Sequence, residues 1–142
     1  MDIRSVMTAN PATCTPDATL RQAAQMMKDH DCGPIPVVGQ DRQPVGVITD
    51  RDIAVRAVAQ GNDMTNARVG DYMTAPVATV PDTCDLEQVA KVMEQGQIRR
   101  VVVVDGKGCV AGIVAQADIA LAGHKDKTAE IVKQVSEPGR ST

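Results

Sequence analysis

The chain has 142 residues, 43% of them hydrophobic, which is enough for one unit with a real core, and 15 Lys and Arg against 18 Asp and Glu leave a net charge of −3. Tyr72 is the single aromatic residue, so the chain offers neither the stacking platforms nor the basic balance that single-stranded nucleic acid requires, and that partner class is excluded. No apolar run is long enough to span a bilayer and the opening MDIRSVMTAN lacks the apolar stretch of a secretion signal, so a cytoplasmic protein with no membrane partner is expected.

In chain order, Ile-Arg-Ser-Val-Met-Thr reads as a short helical turn, and Ala12 to Thr15 (ATCT) as an extended piece closed by Pro16-Asp17. A helix follows, with Leu20, Ala23, Ala24, Met26 and Met27 at helical spacing on one apolar face. Ile35 to Val38 and Val45 to Ile48 are continuous β-branched runs around the turn-rich GQDRQP, the pattern of two buried strands. Thr49 and Asp50 supply oxygens for the start of a second helix carrying Ile53, Ala54, Val55, Ala57 and Val58.

The same order then recurs. Leu20 to Ile53 and Leu86 to Ile119 align without a gap at an offset of 66, and Met7-Thr8 and Met73-Thr74 keep that offset. Val77 to Val80 is the second extended piece, Leu86, Val89, Ala90, Val92 and Met93 the second helix face, and Val101 to Val104 with Val110 to Val114 the second strand pair. This is a tandem duplication of a β-α-β-β-α unit: a first motif at 1–61, a polar linker at 62–71, a second motif at 72–123, and a possible short helix and tail at 124–142. A unit of this size buries little surface alone, so the two copies are expected to pack about a pseudo-twofold axis, with a ligand cleft where they meet.

Cys14, Cys32, Cys84 and Cys109 show no C-x-x-C spacing and no nearby His pair, so free thiols and no metal site are expected. No nucleophile–base pair or catalytic carboxylate pair can be assembled, which argues against an enzyme and against any required cofactor.

The segment GVITDRDI (Gly46 to Ile53), preceded by CGPIPVV and MT…PATCTPDATL and answered by the second copy, resembles the CBS domain. From about Met7 to Gly123 the chain is similar to a stand-alone tandem CBS pair. The resemblance implies an α/β fold whose two motifs face each other across two clefts that commonly take adenosine-containing ligands. An Asp at a helix start can accept hydrogen bonds from both ribose hydroxyls, and a Thr three residues earlier can bond ribose or phosphate beside the helix amides. Asp52 and Thr49 hold those positions in the first copy; Asp118 holds the first in the second copy, where Ala115 replaces the hydroxyl.

By the same resemblance, the cleft built on Thr49 and Asp52 is completed by Val77, Ala78 and Thr79 around the base and by Ile98, Arg99 and Arg100, with the two arginines at the phosphate. The other cleft combines Ala115 and Asp118 with Ala12, Thr13 and Cys32-Gly33-Pro34, which offer no basic residue. The implied function is a regulatory module that senses an adenine nucleotide (AMP, ADP or ATP) and signals through an unidentified effector protein or through a homodimer formed by the second helices, Asp52 to Gln60 and Ala117 to Ala122. The other reading is a structural or interaction module whose clefts are vacant or hold another adenosyl ligand such as S-adenosylmethionine. In that reading Thr49 and Asp52 are a helix cap, and Arg99 and Arg100 are solvated or ion-paired charges.

Overall fold

In the computed structural model, residues 2–121 are described, and by packing they divide into two compact units whose membership departs from the linear repeat. One unit joins the described residues up to Ala9 with Ala78–Lys107 and the described residues from Ala111 onward; the other holds Asn10–Val77 and Gly108–Val110. Thus the lead-in of the first copy packs with the second copy. The boundaries at residues 61, 62–71 and 72 follow the sequence repeat, whereas packing carries residues 62–77 with the first copy.

In the second-copy unit, four strands lie in the order β1-β6-β5-β4. Here β1 is Thr8–Ala9, β4 Thr79–Pro81, β5 Arg100–Val104 and β6 Val110–Ala115. Thr8 pairs with Ile113 in antiparallel fashion, and Thr79 with Val102 in parallel. The first-copy unit repeats that order in reduced form. Strands β2 (Ile35–Val38) and β3 (Pro44–Ile48) pair antiparallel, flanked by single bridges at Thr74–Val47 and Cys14–Val37.

The expected strand at Ala12 to Thr15 is therefore reduced to one residue, Cys14, whose N–H donates to Pro36 O at 3.2 Å and whose carbonyl accepts from Val38 N–H at 2.8 Å. Its counterpart begins at Thr79 rather than Val77 and runs into Pro81. Proline is tolerated there because it ends the strand and supplies only its carbonyl side. The short helical turns expected before each copy are present as Ile3–Ser5 and α2 (Val69–Tyr72).

Helices α1 (Leu20–His30) and α3 (Leu86–Gly96) begin in the same way, and the signal lies two or three residues beyond the Pro-Asp pairs. Thr19 Oγ1 accepts from Gln22 N–H while Gln22 Oε1 accepts from Thr19 N–H, and Asp85 and Gln88 repeat the exchange. These are capping boxes, each satisfying two otherwise orphaned amides. Both helices end on a left-handed residue, Asp31 (φ 49°) and Gln97 (φ 52°), neither of them glycine. Leu20, Ala23 and Met27 are buried on α1 and Leu86, Val89, Ala90 and Met93 on α3, but Ala24 is exposed.

Each unit has its own core. Leu20, Ala23, Ile35, Val37, Ile48 and Ala57 in one are joined by Val69, and Val89, Met93, Val101, Val103, Val114 and Ile119 in the other are joined by Ile3. Burying one such side chain contributes about 1.5–3 kcal/mol. Cys14 is buried in the first core, and burial pushes its thiol up to about 11, so it serves as a small neutral packing residue.

Two glycines admit the lead-ins. A Cβ on Gly46 would stand 2.7 Å from Met73 Sδ and 2.9 Å from Thr74 O; on Gly112 it would stand 2.5 Å from Met7 Sδ and 3.0 Å from Thr8 O. Gly46→Ala is expected to destabilise by about 1–3 kcal/mol in urea unfolding. Adding Met73→Ala should recover only part of the loss, because the Thr74 carbonyl still stands in the way.

Candidate functional site

The first-copy unit holds Thr49, Asp52 and Val77, all half-buried. Strand β3 ends at Ile48, and Thr49 turns the chain into the next helix. Asp52 N–H donates to Thr49 Oγ1 at 3.1 Å and Thr49 N–H donates to Asp52 Oδ2 at 3.0 Å. This reciprocal pair is a capping box, so the cap expected of these residues is present. It leaves Asp52 Oδ1 without a hydrogen-bond donor among the described residues, and the Thr49 hydroxyl hydrogen remains available to an acceptor.

The helix that follows is of the wide π type over Asp52–Val58, with Ala59 N–H bonded to Ala54 O at 3.2 Å and Asn62 N–H to Ala57 O at 3.1 Å. Ile53 and Ala57 are buried, while Val55 and Val58 are 51% and 56% exposed.

The second-copy unit holds Ala78, Thr79, Ile98, Arg99, Arg100 and Asp118. Ala78 O accepts from Val102 N–H at 3.0 Å, which sets Ala78 and Thr79 beside β5. Arg99 O accepts from Gln116 N–H at 2.7 Å, tying the arginine pair to the start of α4 (Gln116–Leu121). Asp118 Oδ2 accepts from Ala115 N–H at 2.7 Å. Ala115 has no hydroxyl to return the bond, so this cap is half of the one at Thr49.

The arginines differ from ordinary surface charges. Arg99 Nη2 and Arg100 Nε are buried and find no hydrogen-bond partner among the described residues. A guanidinium with donors buried and unmet is costly unless an acceptor arrives, and an anion is the natural one. Neither arginine is ion-paired among the described residues, whereas Arg4 pairs with Asp82 at 3.1 Å.

Two surface depressions lie elsewhere. One of about 400 Å³ is lined by Asp2, Arg4, Asp82, Thr83, Cys84 and Asp85; one of about 510 Å³ is lined by Thr13, Cys14, Thr15, Ala18, Gln22, Gln25 and Met26. Among the described residues no group of three or more His, Cys, Asp or Glu is gathered to hold a metal ion, and no helix is long and apolar enough to cross a membrane.

The sequence places Asp50 at the helix start, but neither it nor Gln116 is among the site residues the motif points to. Asp50 N–H donates to Gly33 O at 3.3 Å, the counterpart of the Gln116–Arg99 bond. The signal was available in the register, since both members of the pair differ between the copies.

Removing the cap should be measurable without any ligand. Thr49→Ala is expected to lower unfolding stability by about 0.5–2 kcal/mol, and Thr49→Ser by much less, because serine retains the accepting oxygen. Equal losses in the two variants would mean that the methyl group, and not the cap, is what Thr49 contributes.

Comparison with known proteins agrees with this layout. The CBS domain family model matches residues 3–58 and again 69–125. The CBS domain-containing protein YhcV of Bacillus subtilis is 40% identical over 119 residues, covering 84% of this chain and 83% of the relative. Hypoxic response protein 1 of Mycobacterium tuberculosis is 34% identical over 135 residues, covering 95% of this chain and 94% of the relative. Among solved structures, the CBS domain pair of protein MJ0100 in complex with 5′-methylthioadenosine and S-adenosyl-L-methionine superposes with a TM-score of 0.76 at 29% identity, over 86% of this chain and 98% of that one. The chain is a tandem CBS domain protein, with both of its copies members of the CBS domain family.

Proposed function

We propose that this chain is a regulatory module that binds an adenine nucleotide, with Asp52 and Thr49 at the ribose, Val77, Ala78, Thr79 and Ile98 around the base, and Arg99 and Arg100 at the phosphates. The observation that carries the reading is the pair of buried, unpartnered guanidinium nitrogens. An anionic ligand supplies the acceptors they lack, and such a contact is charge-assisted. Asp52 Oδ1, to which no described residue donates, is open to accept from a ribose hydroxyl. The chain offers no catalytic constellation among the described residues, so occupancy is read out by an effector protein or by the oligomer, in the cytoplasm, where adenylates are available.

A second reading has an observation of its own. MJ0100 is complexed with a thioether and a sulfonium adenosyl compound rather than a phosphate, and Thr49 and Asp52 already serve as a cap. A module holding such a ligand, or acting in protein interaction alone, fits those two points.

Calorimetric titration separates the readings. ATP, ADP or AMP should bind the wild type, and Asp52→Ala should weaken binding by roughly 2–4 kcal/mol, because two charge-assisted hydrogen bonds to ribose are lost. Asp118→Ala should change adenylate affinity little. Arg100→Ala should weaken ATP and ADP more than adenosine. Absence of heat with all three nucleotides at millimolar concentration, together with heat from S-adenosylmethionine, would move the chain to the second reading.

We further propose that the chain forms a homodimer through the helix after Asp52, whose Val55 and Val58 are exposed apolar side chains left uncovered by the described residues. Light scattering at micromolar concentration should give twice the chain mass of 15.0 kDa. The Val55→Glu/Val58→Glu double variant should give the monomer mass. A wild-type monomer at that concentration would remove the dimer.

A further inference from the structure

The two copies carry one backbone joint with opposite charges built upon it. In the second copy Gln116 N–H bonds Arg99 O, and in the first Asp50 N–H bonds Gly33 O. Residues 33 and 99, like 50 and 116, stand at the repeat offset. Because the joint is peptide to peptide, its side chains are free to differ, and they differ in sign. Where the second copy presents Arg99, Arg100 and neutral Gln116, the first presents Gly33, Pro34 and the carboxylate of Asp50.

That carboxylate sits in the space a side chain on residue 33 would enter. From the position of a Cβ on Gly33, Asp50 Oδ1 lies at 3.1 Å and Oδ2 at 3.4 Å. Asp50 Oδ1 also accepts from Arg51 N–H at 2.9 Å, which fixes the carboxyl group at the helix start. Asp50 has no ion-pair partner among the described residues. A second carboxylate stands nearby on Asp31, the left-handed residue closing α1. The intervening Cys32 thiol registers both charges: burial raises its pKa, and Asp31 and Asp50 raise it further.

We propose that the Gly33–Asp50 joint is a charge filter. It rejects the phosphate end of an adenosine ligand and admits a neutral or cationic 5′ group, while the Arg99–Gln116 joint accepts the phosphate. This rests on the reading of the chain as an adenosyl-ligand module, and it adds that the two joints select ligands of different charge class. Asp50 is exposed, and a dianion brought beside its carboxylate is repelled while an ammonium or sulfonium is attracted, both effects being strongest at low ionic strength. Gly33 contributes by omission, since the lack of a side chain leaves the carboxylate uncovered.

Exchanging the joints tests the filter. Gly33→Arg/Asp50→Gln transplants the second-copy pair of Arg99 and Gln116 into the first copy, on a backbone joint already shared. Arg99→Gly/Gln116→Asp does the reverse. Circular dichroism and urea unfolding first establish that each variant folds, and calorimetry then gives stoichiometry and affinity for ATP and for neutral 5′-methylthioadenosine.

The wild type is expected to bind one ATP per chain, and Gly33→Arg/Asp50→Gln a second. Arg99→Gly/Gln116→Asp should lose ATP affinity by about tenfold or more while holding 5′-methylthioadenosine nearly unchanged. A folded Gly33→Arg/Asp50→Gln protein that binds ATP just as the wild type does overturns the filter and leaves the nucleotide reading intact. Two ATP per chain in the wild type overturns it equally. A wild type silent to ATP and to 5′-methylthioadenosine overturns the adenosyl reading itself, and the filter with it.

The single substitution Asp50→Asn keeps the test open should the exchange variants fail to fold. It should lower the preference for 5′-amino-5′-deoxyadenosine, a cation at pH 7, over 5′-methylthioadenosine by about threefold to tenfold. An unchanged preference overturns the filter.

Discussion

The structure depends on an exchange of lead-in segments. Ile3, in the lead-in of the first copy, completes the core of the second, and Val69, in the lead-in to the second copy, completes the core of the first. The exchange is held at several points in each unit. Thr8 pairs with Ile113 and Thr74 with Val47; Asp2 bridges Asp85 and Arg68 bridges Thr19. Met7 and Met73 lie over Gly112 and Gly46, where any side chain would collide with them. A motif cut at the sequence repeat would lack a core residue, an edge pairing and a helix-entry bridge together. For a unit this small, losing even one buried aliphatic side chain is a large fraction of its stability. The duplication is therefore one in which the first copy's lead-in is committed to the other copy.

That arrangement also explains which features of the copies stay alike and which diverge. Backbone devices recur at the repeat offset: the capping boxes at Thr19 and Asp85, the left-handed helix ends at Asp31 and Gln97, and the joints at Gly33–Asp50 and Arg99–Gln116. Each needs only a residue of a broad type, or no side chain at all. The residues carried on them are unconstrained by folding and have diverged, so that Arg99 and Arg100 stand against Gly33 and Pro34, and Thr49 against Ala115. A frame fixed by main-chain hydrogen bonds thus presents two different sets of side-chain chemistry.

Much of this was legible in the sequence, because periodicity and the repeat report on burial. The faces of α1 and α3 and the runs in β2, β3, β5 and β6 are apolar, and their counterparts confirm one another. The misses have a common cause. Thr8–Ala9 is a strand only because Ile113 and Gly112 lie beside it, and Ala12 to Thr15 shrinks to a bridge at Cys14 because so few of its backbone groups meet a partner. Short strands are decided by what lies opposite, which no local pattern records. The wide turn of Asp52–Val58 is likewise invisible to a search for helical spacing. The candidate site was legible as residue types: Thr49, Asp52, Arg99 and Arg100 were identifiable from motif and register. The burial of the guanidinium nitrogens and the placement of the Asp50 carboxylate were not, because both depend on packing around them.

At Thr49 and Asp52, the structural and ligand-binding readings make compatible demands on the same atoms. The cap consumes one acceptor site on Asp52 Oδ2 and one on Thr49 Oγ1. A carboxylate has about four such sites, and a threonine hydroxyl keeps its hydrogen to donate. The cap holds both groups in fixed orientation at a helix start before any ligand arrives, so the entropy of ordering them is met during folding and not again on binding. In the second copy, Ala115 gives Asp118 one anchor instead of two, so that carboxylate is less firmly held, and no hydroxyl accompanies it. The cap is thus compatible with the proposed first-copy site, and its half-built counterpart leaves Asp118 with a single anchor.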